Sequence, residues 1–473
     1  MRSFVPVLAL LLATPGFPAE QADGQARHDS LVTRLRALAP MASHWGPAWG
    51  AIYHAALPWY ERWGGNPVHD VDDWMVPPET YADELASALE QGRNFLAENH
   101  GALIPLVFAA KLPDGRMVEA NYWLTLPAGF PREGGSFPLV IGLHGSGWLG
   151  HKISFVRQAR KDPAGGRAFT VTPIDEAGPW QVDFLNAYLD DLQRLLPVDP
   201  DRVYLEGHSL GAMATWEWAL NNPERFAAIS PRAGRGEPYR ASRLRNVPAW
   251  VIHGERDETV FTGFSDQMVG ALEACGGRVR YTVLPGVEHN MPDDLDEGQV
   301  VDWYLRQTRS HESVPADSRD HLGLGATGFS PWEIVSVPAA IGWKSDAVPR
   351  ADRDASLLAV RRLFDHVHAL GERVDAPVVM QLDPKTNQTR FWLPKPKSLH
   401  ARPPDTTAAA IPATRALRFY FRGPTSDALA HLARVTSEAE AAGHHVRSDV
   451  WITPLSLWPD TPGYVAEYRV EVD

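Results

Sequence analysis

The stretch "LEGHSLGAMA", residues 205–214, decides the fold. It reads as the end of a strand, a turn with a glycine on each side of Ser209, and the start of a helix. A chain that passes from strand to helix in so few residues must turn sharply. The positions two before and two after the serine then have to be small, and Gly207 and Gly211 fill them. Ser209 would stand at the head of the helix, where backbone N–H groups favour negative charge. The five-residue pattern alone is weak, because glycine and serine are common; the strand–turn–helix context strengthens it.

Working outward, strand-like and helix-like stretches alternate on both sides. "FPLVIGLHG", "FTVTPI", "DRVYLEG", "FAAISPRAG", "VPAWVIHGERD" and "VRYTVLPG" have the apolar content of buried strands. Between and after them, "WQVDFLNAYLDDLQRLL", "GAMATWEWALNNPERF", "FTGFSDQMVGALEAC" and "GQVVDWYLRQT" have helical spacing. This alternation predicts a mostly parallel, doubly wound α/β sheet, with functional groups at the carboxyl ends of its strands. Two such ends carry chemistry. Asp257 follows the strand in "VIHGERDETV", and His289 follows the next strand in "VLPGVEHN". Each alone reads as a solvated loop residue. Behind Ser209, in the order serine, aspartate, histidine, they read as a nucleophile, its orienting acid and its base. The loop "LHGSG", Leu143 to Gly147, follows an earlier strand. The backbone N–H groups of Ser146 and Leu210 are the expected oxyanion donors, each contributing about 3–4 kcal/mol of barrier lowering. Gly145 supplies the turn, and His144 is read as orienting the loop.

Together "LHGSG", "VDPDRVYLEGHSLGAMATWEWALNNPERFAAISPRAG", "VIHGERD" and "GVEHN" resemble the secreted esterase/peptidase branch of the α/β-hydrolases. That branch includes feruloyl-esterase-like, polyhydroxybutyrate-depolymerase-like and prolyl-oligopeptidase-like enzymes. The resemblance covers about residues 115–310. It implies hydrolysis through an acyl-enzyme on Ser209, acting on a small-molecule or polymer-derived ester. It leaves the acyl and leaving groups open. Glu206 departs from the small or hydroxylated residue of many relatives.

At 473 residues the chain is too long for one ordinary domain. A net charge of −13 excludes the basic surface that nucleic-acid binding needs. The start, "MRSFVPVLALLLATPGFPAE", places Arg2 before an apolar run from Phe4 to Ala13, then small residues to Ala19. This is the layout of a secretory signal, so a secreted or periplasmic location is expected. The run is too short to span a bilayer, and no membrane span is expected. No cysteine follows it, which excludes a lipoprotein anchor. Cys275 is the sole cysteine and reads as a packed small residue. No intrachain disulfide, no metal site and no cofactor for hydrolysis are therefore expected.

The expected organisation is a signal peptide (1–19), a helical aromatic-rich segment (28–114), a catalytic domain (115–310), a linker (311–328) and a C-terminal α+β domain (329–473). Trp45, Trp49, Trp59 and Trp63, spaced near four, read as the core of a helical cap, with a stacking surface for sugar or aromatic rings as the alternative. Residues 311–328 are polar and glycine-rich, and a chain ending near Gln307 is expected to fold alone. Residues 329–473 read as a strand–helix–strand–strand unit occurring twice, closing an antiparallel sheet with both helices on one face. Through "RRLFDHV", "APVVMQLDP", "FWLPKP" and "RFYFRGPTSDA" this part resembles the SOUL family of haem-binding-like proteins. The resemblance implies an apolar or tetrapyrrole ligand such as haem, but no ligand histidine carries over. His366 and His368 lie two apart on a helix, cannot share a face, and read as solvated. A serine peptidase of prolyl-oligopeptidase type, and a ligand-binding protein with the hydrolase part as scaffold, remain as alternative readings.

Overall fold

The computed structural model describes residues 18–63, 78–98, 104–131, 135–146, 164–174, 180–291, 297–395, 408–411, 413–456 and 464–473. The signal expected over 1–19 lies outside them, apart from its last two residues. The first half of the chain runs α1 (Pro18–Leu38), α2 (Pro47–Trp63), α3 (Pro78–Glu90), α4 (Phe95–Glu98), β1 (Ile104–Lys111), β2 (Met117–Thr125), β3 (Phe137–Leu143), β4 (Phe169–Ile174) and α5 (Val182–Leu195). Next come β5 (Val198–His208), α6 (Leu210–Asn221), β6 (Ala228–Arg232), β7 (Ala249–Gly254), α7 (Thr262–Ala274), β8 (Val279–Leu284) and α8 (Glu297–Tyr304). The last part holds β9 (Glu333–Val337), β10 (Ala340–Lys344), β11 (Val348–Pro349), α9 (Arg353–Ala369), β12 (Val379–Asp383) and β13 (Gln388–Pro394). It ends with β14 (Ala408–Ile411), β15 (Thr414–Arg422), α10 (Thr425–Ala441), β16 (Val446–Pro454) and β17 (Val465–Val472).

Two compact units divide the chain. The first comprises residues 1–137, 149–176 and 187–197. In it α2 buries Trp49, Ile52, Tyr53, Ala56 and Tyr60, one helical stripe at spacings of three and four. Trp49 meets Phe130 edge-on at 5.1 Å, so it belongs to a core and not to a ligand surface. Trp45 and Trp59 are half-buried. β1 and β2 form an antiparallel hairpin, and β4 pairs antiparallel with β2.

The second unit comprises residues 138–148, 177–186 and 198–473. It contains the strand order β3-β5-β6-β7-β8, with β5, β6, β7 and β8 mutually parallel. This is the α/β-hydrolase-like sheet. The strand interiors are apolar on both sides because helices cover them: Trp216 and Trp218 of α6 are fully buried. The same unit holds a second sheet, order β14-β10-β13-β12-β16-β17-β15-β9. The runs β10–α9–β12–β13 and β15–α10–β16–β17 lie as mirrored halves about the β12–β16 pair. α9 packs Leu363, Phe364 and Val367 with Trp343 and Phe391, and α10 packs Ala428, Val435 and Ala439 with Phe419 and Tyr468. The stretch "WEIVSVPAAIGWKSDA", strand-like throughout in its sequence, forms two strands. β9 leaves its own half and pairs with β15, while β10 pairs with β13.

Residues 311–328, expected as a linker, carry a 3-10 turn over Ser318–Leu322. The guanidinium of Arg240, 2% exposed, donates to Asp317 at 2.8 Å and to Glu237 at 3.1 Å. α7 meets the C-terminal residues along its length. A Cβ on Gly263 would come within 2.5 Å of the Phe364 ring. Asp266 accepts from His368 Nε2 at 2.6 Å and from the Val374 amide at 3.0 Å, and Gln267 donates to the Ala376 carbonyl at 2.9 Å.

His368 is thus not the solvated residue expected from its helix. Burial works against its charge, but the hydrogen bond and field of Asp266 outweigh that and raise its pKa above the ordinary 6.5. A raised folded-state pKa stabilises the fold fully below the unfolded value and loses that contribution as pH rises through the folded one. Thermal stability is therefore expected to decline from about pH 6.5 upward. His368→Gln should flatten that slope, which unfolding midpoints between pH 5.5 and 8.5 will test.

Candidate functional site

The site is built on strand ends. β5 finishes at His208, and Ser209 takes φ 56 and ψ −117 before α6 begins at Leu210. A non-glycine residue in that region is strained by about 1–3 kcal/mol, held here by its surroundings. The Ser209 amide donates to the Arg232 carbonyl of β6 at 2.9 Å, and its carbonyl accepts from the Met213 amide at 3.0 Å. The flanking glycines have no alternative. A Cβ on Gly207 would meet the Gly211 carbonyl at 2.3 Å, and one on Gly211 would meet the Leu143 carbonyl at 2.0 Å.

The structure brings Ser209, His289 and Asp257 together. Ser209 Oγ lies 2.8 Å from His289 Nε2, and His289 Nδ1 lies 2.8 Å from Asp257 Oδ2. Asp257 follows β7 and its side chain is fully buried. Its Oδ1 accepts from the amides of Thr259 and Val260 at 2.9 and 2.8 Å. Burial pushes this carboxyl's pKa up, but the hydrogen bonds of His253, His289 and the Val260 amide outweigh it and hold it well below the carboxylate range. The carboxylate form of Asp257 is therefore favoured in the folded protein.

Two imidazoles escaped the sequence reading although they stand inside the quoted motifs. His208 Nε2 donates to the His289 carbonyl at 2.8 Å, and its ring lies 5.0 Å from that of His289. Burial lowers its pKa, so it is a neutral clamp on the main chain of His289. His253, the polar residue near the end of the buried strand "AWVIHG", reaches the same Asp257 oxygen as His289, with Nε2 at 3.1 Å. Glu206, the departure noted in the sequence, accepts from Arg232 at 2.9 Å and from the Tyr304 hydroxyl at 3.2 Å.

The loop at 144–146 lies against the nucleophile. A Cβ on Gly145 would sit 3.1 Å from Ser209 Cβ and 3.2 Å from the His208 carbonyl, so the backbone here runs close against the nucleophile. His144 hydrogen-bonds its neighbour's carbonyl at 2.9 Å, and its own carbonyl accepts from Trp180 Nε1 at 3.1 Å. Ser146 is an exposed turn residue next to this backbone, and Leu210 opens α6. The N–H groups of both belong to segments that border Ser209. The arrangement can deprotonate a hydroxyl and keep charge near a helix head. Asp257→Asn, which reverses the tautomer of His289, is expected to lower turnover about 10⁴-fold with little change in fold; steady-state kinetics beside circular dichroism will check it.

Among the described residues no group of three or more histidines, cysteines, aspartates or glutamates could hold a metal. The second sheet bears a cleft lined by Val337, Ile341, Trp392, Ile411, Trp451 and Glu471 among others. Among the described residues of that lining there is no histidine, methionine, cysteine or tyrosine, so these residues offer a haem iron no axial ligand. Cys275 ends α7, with Sγ 3.2 Å from the Leu272 carbonyl.

No family model matches the chain. Over 170 residues it is 23% identical to the bifunctional acetylxylan esterase/xylanase XynS20E of Neocallimastix patriciarum, covering 33% of this chain and 25% of that protein. It is 24% identical over 270 residues to the uncharacterized peptidase YuxL of Bacillus subtilis (strain 168), covering 46% and 40%. A 78-residue stretch is 35% identical to the putative esterase NocK of Nocardia uniformis subsp. tsuyamanensis, covering 16% and 23%. The chain thus spans less than half the length of these curated relatives. Among solved structures, a thermostable esterase aligns at 25% identity and TM-score 0.34, covering 43% of this chain and 63% of its own. The chain's homologues are esterases and peptidases. No helix among the described residues is long and apolar enough to cross a membrane.

Proposed function

We propose that the protein is a secreted serine hydrolase that cleaves carboxylic esters through an acyl-enzyme on Ser209. The observation that carries the reading is the hydrogen-bonded line Ser209 Oγ–His289 Nε2 and His289 Nδ1–Asp257 Oδ2, both at 2.8 Å. Ser209 Oγ attacks the ester carbonyl as His289 Nε2 takes its proton. The Leu210 and Ser146 N–H groups receive the oxyanion. His289 returns the proton to the departing alkoxide, and a water then repeats the sequence to release the acid. Asp257 holds the imidazole tautomer and stabilises its cation. Ester is favoured over peptide because the regions flanking the hydrolase-like sheet do not read as a propeller that would filter peptides. Secretion rests on the sequence pattern of residues 1–19. A small apolar ligand in the Trp392–Trp451 cleft is part of the same reading, with haem set aside for want of an iron ligand. The test is labelling with a fluorophosphonate, mapped to Ser209, followed by a panel of soluble acetyl, feruloyl and longer acyl esters beside an aminoacyl-peptide control. Failure to label overturns the serine mechanism, and faster cleavage of the peptide overturns the ester preference.

A further inference from the structure

Asp257 Oδ2 has two imidazoles on it, and the proposed mechanism uses one. His253 is fully buried, with Nε2 3.1 Å from Asp257 Oδ2 and 2.7 Å from the Val260 carbonyl. A carbonyl only accepts, so Nε2 carries a proton and shares it between these two oxygens. Nδ1 lies 2.6 Å from Ser265 Oγ on α7. The Ser265 hydroxyl has one proton and two acceptors in reach, Nδ1 and the Gly234 carbonyl at 3.4 Å. The shorter contact assigns it to Nδ1. The result is a continuous line: Ser265 donates to His253, His253 to Asp257, and His289 to the same Asp257 oxygen.

We infer that His253 is a positioning residue for this reaction: with Ser265 it fixes the direction of Asp257 Oδ2 and thereby the ring of His289. The inference rests on the serine-hydrolase reading above. The Thr259 and Val260 amides hold Oδ1 and leave the carboxylate free to swing Oδ2 about that anchor. His253 removes this freedom with a second contact to the same oxygen that His289 uses. It stands near the end of β7, and its partner Ser265 lies in the helix that Phe364, His368 and Ala376 grip. A buried histidine that merely fills space needs no bond to a reacting group's partner; this one shares its donor between the Val260 carbonyl and that partner. A displacement of about 1 Å in such a constellation costs on the order of 10²-fold in rate.

Two substitutions separate the two ends of the ring. His253→Gln puts an amide N–H near the place of Nε2 and keeps the donor to Asp257 and Val260. His253→Asn reaches only as far as Nδ1 and keeps the Ser265 side alone. With the full chain and a soluble ester, H253N is expected to lose about tenfold to hundredfold in kcat with KM within about twofold. H253Q is expected to recover most of that loss, and fluorophosphonate labelling should slow in H253N in proportion to kcat. Thermal unfolding is measured beside the kinetics. Equal loss in H253N and H253Q, or a change in KM or unfolding midpoint without a fall in kcat, overturns the inference. Should H253N fail to fold, Ser265→Ala decides: a lower kcat at unchanged KM supports the line, and an unchanged kcat overturns it. A parent protein that the probe does not label at Ser209 refutes the hydrolase reading itself. A labelled parent whose H253N form reacts at the parent's rate refutes only the role of His253.

Discussion

Ser209→Ala is expected to lower ester turnover by about four to six orders of magnitude, leaving only what the oxyanion donors and binding supply. The expectation follows from what the side chain does. Its Oγ makes the 2.8 Å contact to His289, while the backbone bonds to Arg232 and Met213 hold the turn. Alanine removes the first and keeps the second. Far-ultraviolet circular dichroism should therefore be unchanged, and the unfolding midpoint should stay level or rise, since sites tuned for activity often sacrifice stability. Labelling by fluorophosphonate should vanish. Turnover within tenfold of the parent would remove Ser209 from the mechanism.

The second large effect concerns the far half of the chain. A protein ending at Gln307 is expected to be poorly soluble, and any soluble fraction to hydrolyse esters about two orders of magnitude more slowly. The sequence led to the opposite expectation, an independent catalytic domain. The contacts argue otherwise. The cut strips Asp317 from the buried Arg240, which keeps Glu237, so the loss is a fraction of the about 3–5 kcal/mol that a buried charge left wholly unpaired costs. The cut also bares Phe261 and Phe264, which stack on each other and meet Phe364 edge-on at 6.2 and 5.2 Å. Asp266 loses both its C-terminal donors, so α7 is loosened where it carries Ser265. Solubility, unfolding and kinetics of the shortened chain will test this, beside a chain ending at Gly328 that retains Asp317. A soluble product within threefold of the parent's activity would contradict it.

What the sequence made legible was local. Ser209 could be found because the sharp strand-to-helix turn confines small residues to positions two before and two after it, although the carbonyl that forces Gly211 is that of the distant Leu143. Asp257 and His289 could be found because a parallel sheet sends its strand ends to one edge. The periodicity of "SLLAVRRLFDHVHAL" correctly marks a helix, but an apolar stripe names no partner. Nothing in it says that Phe364 lies against Gly263, or that His368 meets Asp266 instead of water. His208 in the turn and His253 in its strand carry no mark of their roles for the same reason, since these depend on a carbonyl and a carboxylate reached through the fold. The break in "WEIVSVPAAIGWKSDA" has a visible cause in Pro338. The destination of β9, on the other half of the sheet, has none in the sequence.

That crossing bears on synthesis. β9 ends at Val337, and its partner β15 is complete only at Arg422, about 85 residues later. At typical translation speeds of about 5–20 residues per second, the strand waits on the order of 4–17 s with its hydrogen-bonding edge open. α7 waits too, because Phe364 and His368 leave the ribosome after the hydrolase-like strands. The nascent chain thus carries its whole proposed catalytic set before it can close the surfaces around it. A ribosome-bound intermediate halted near residue 390, with β9 clear of the exit tunnel and Phe364 still within it, would present a bare strand edge and an apolar helix face, the combination that holdase chaperones recognise and that seeds aggregation when they are scarce.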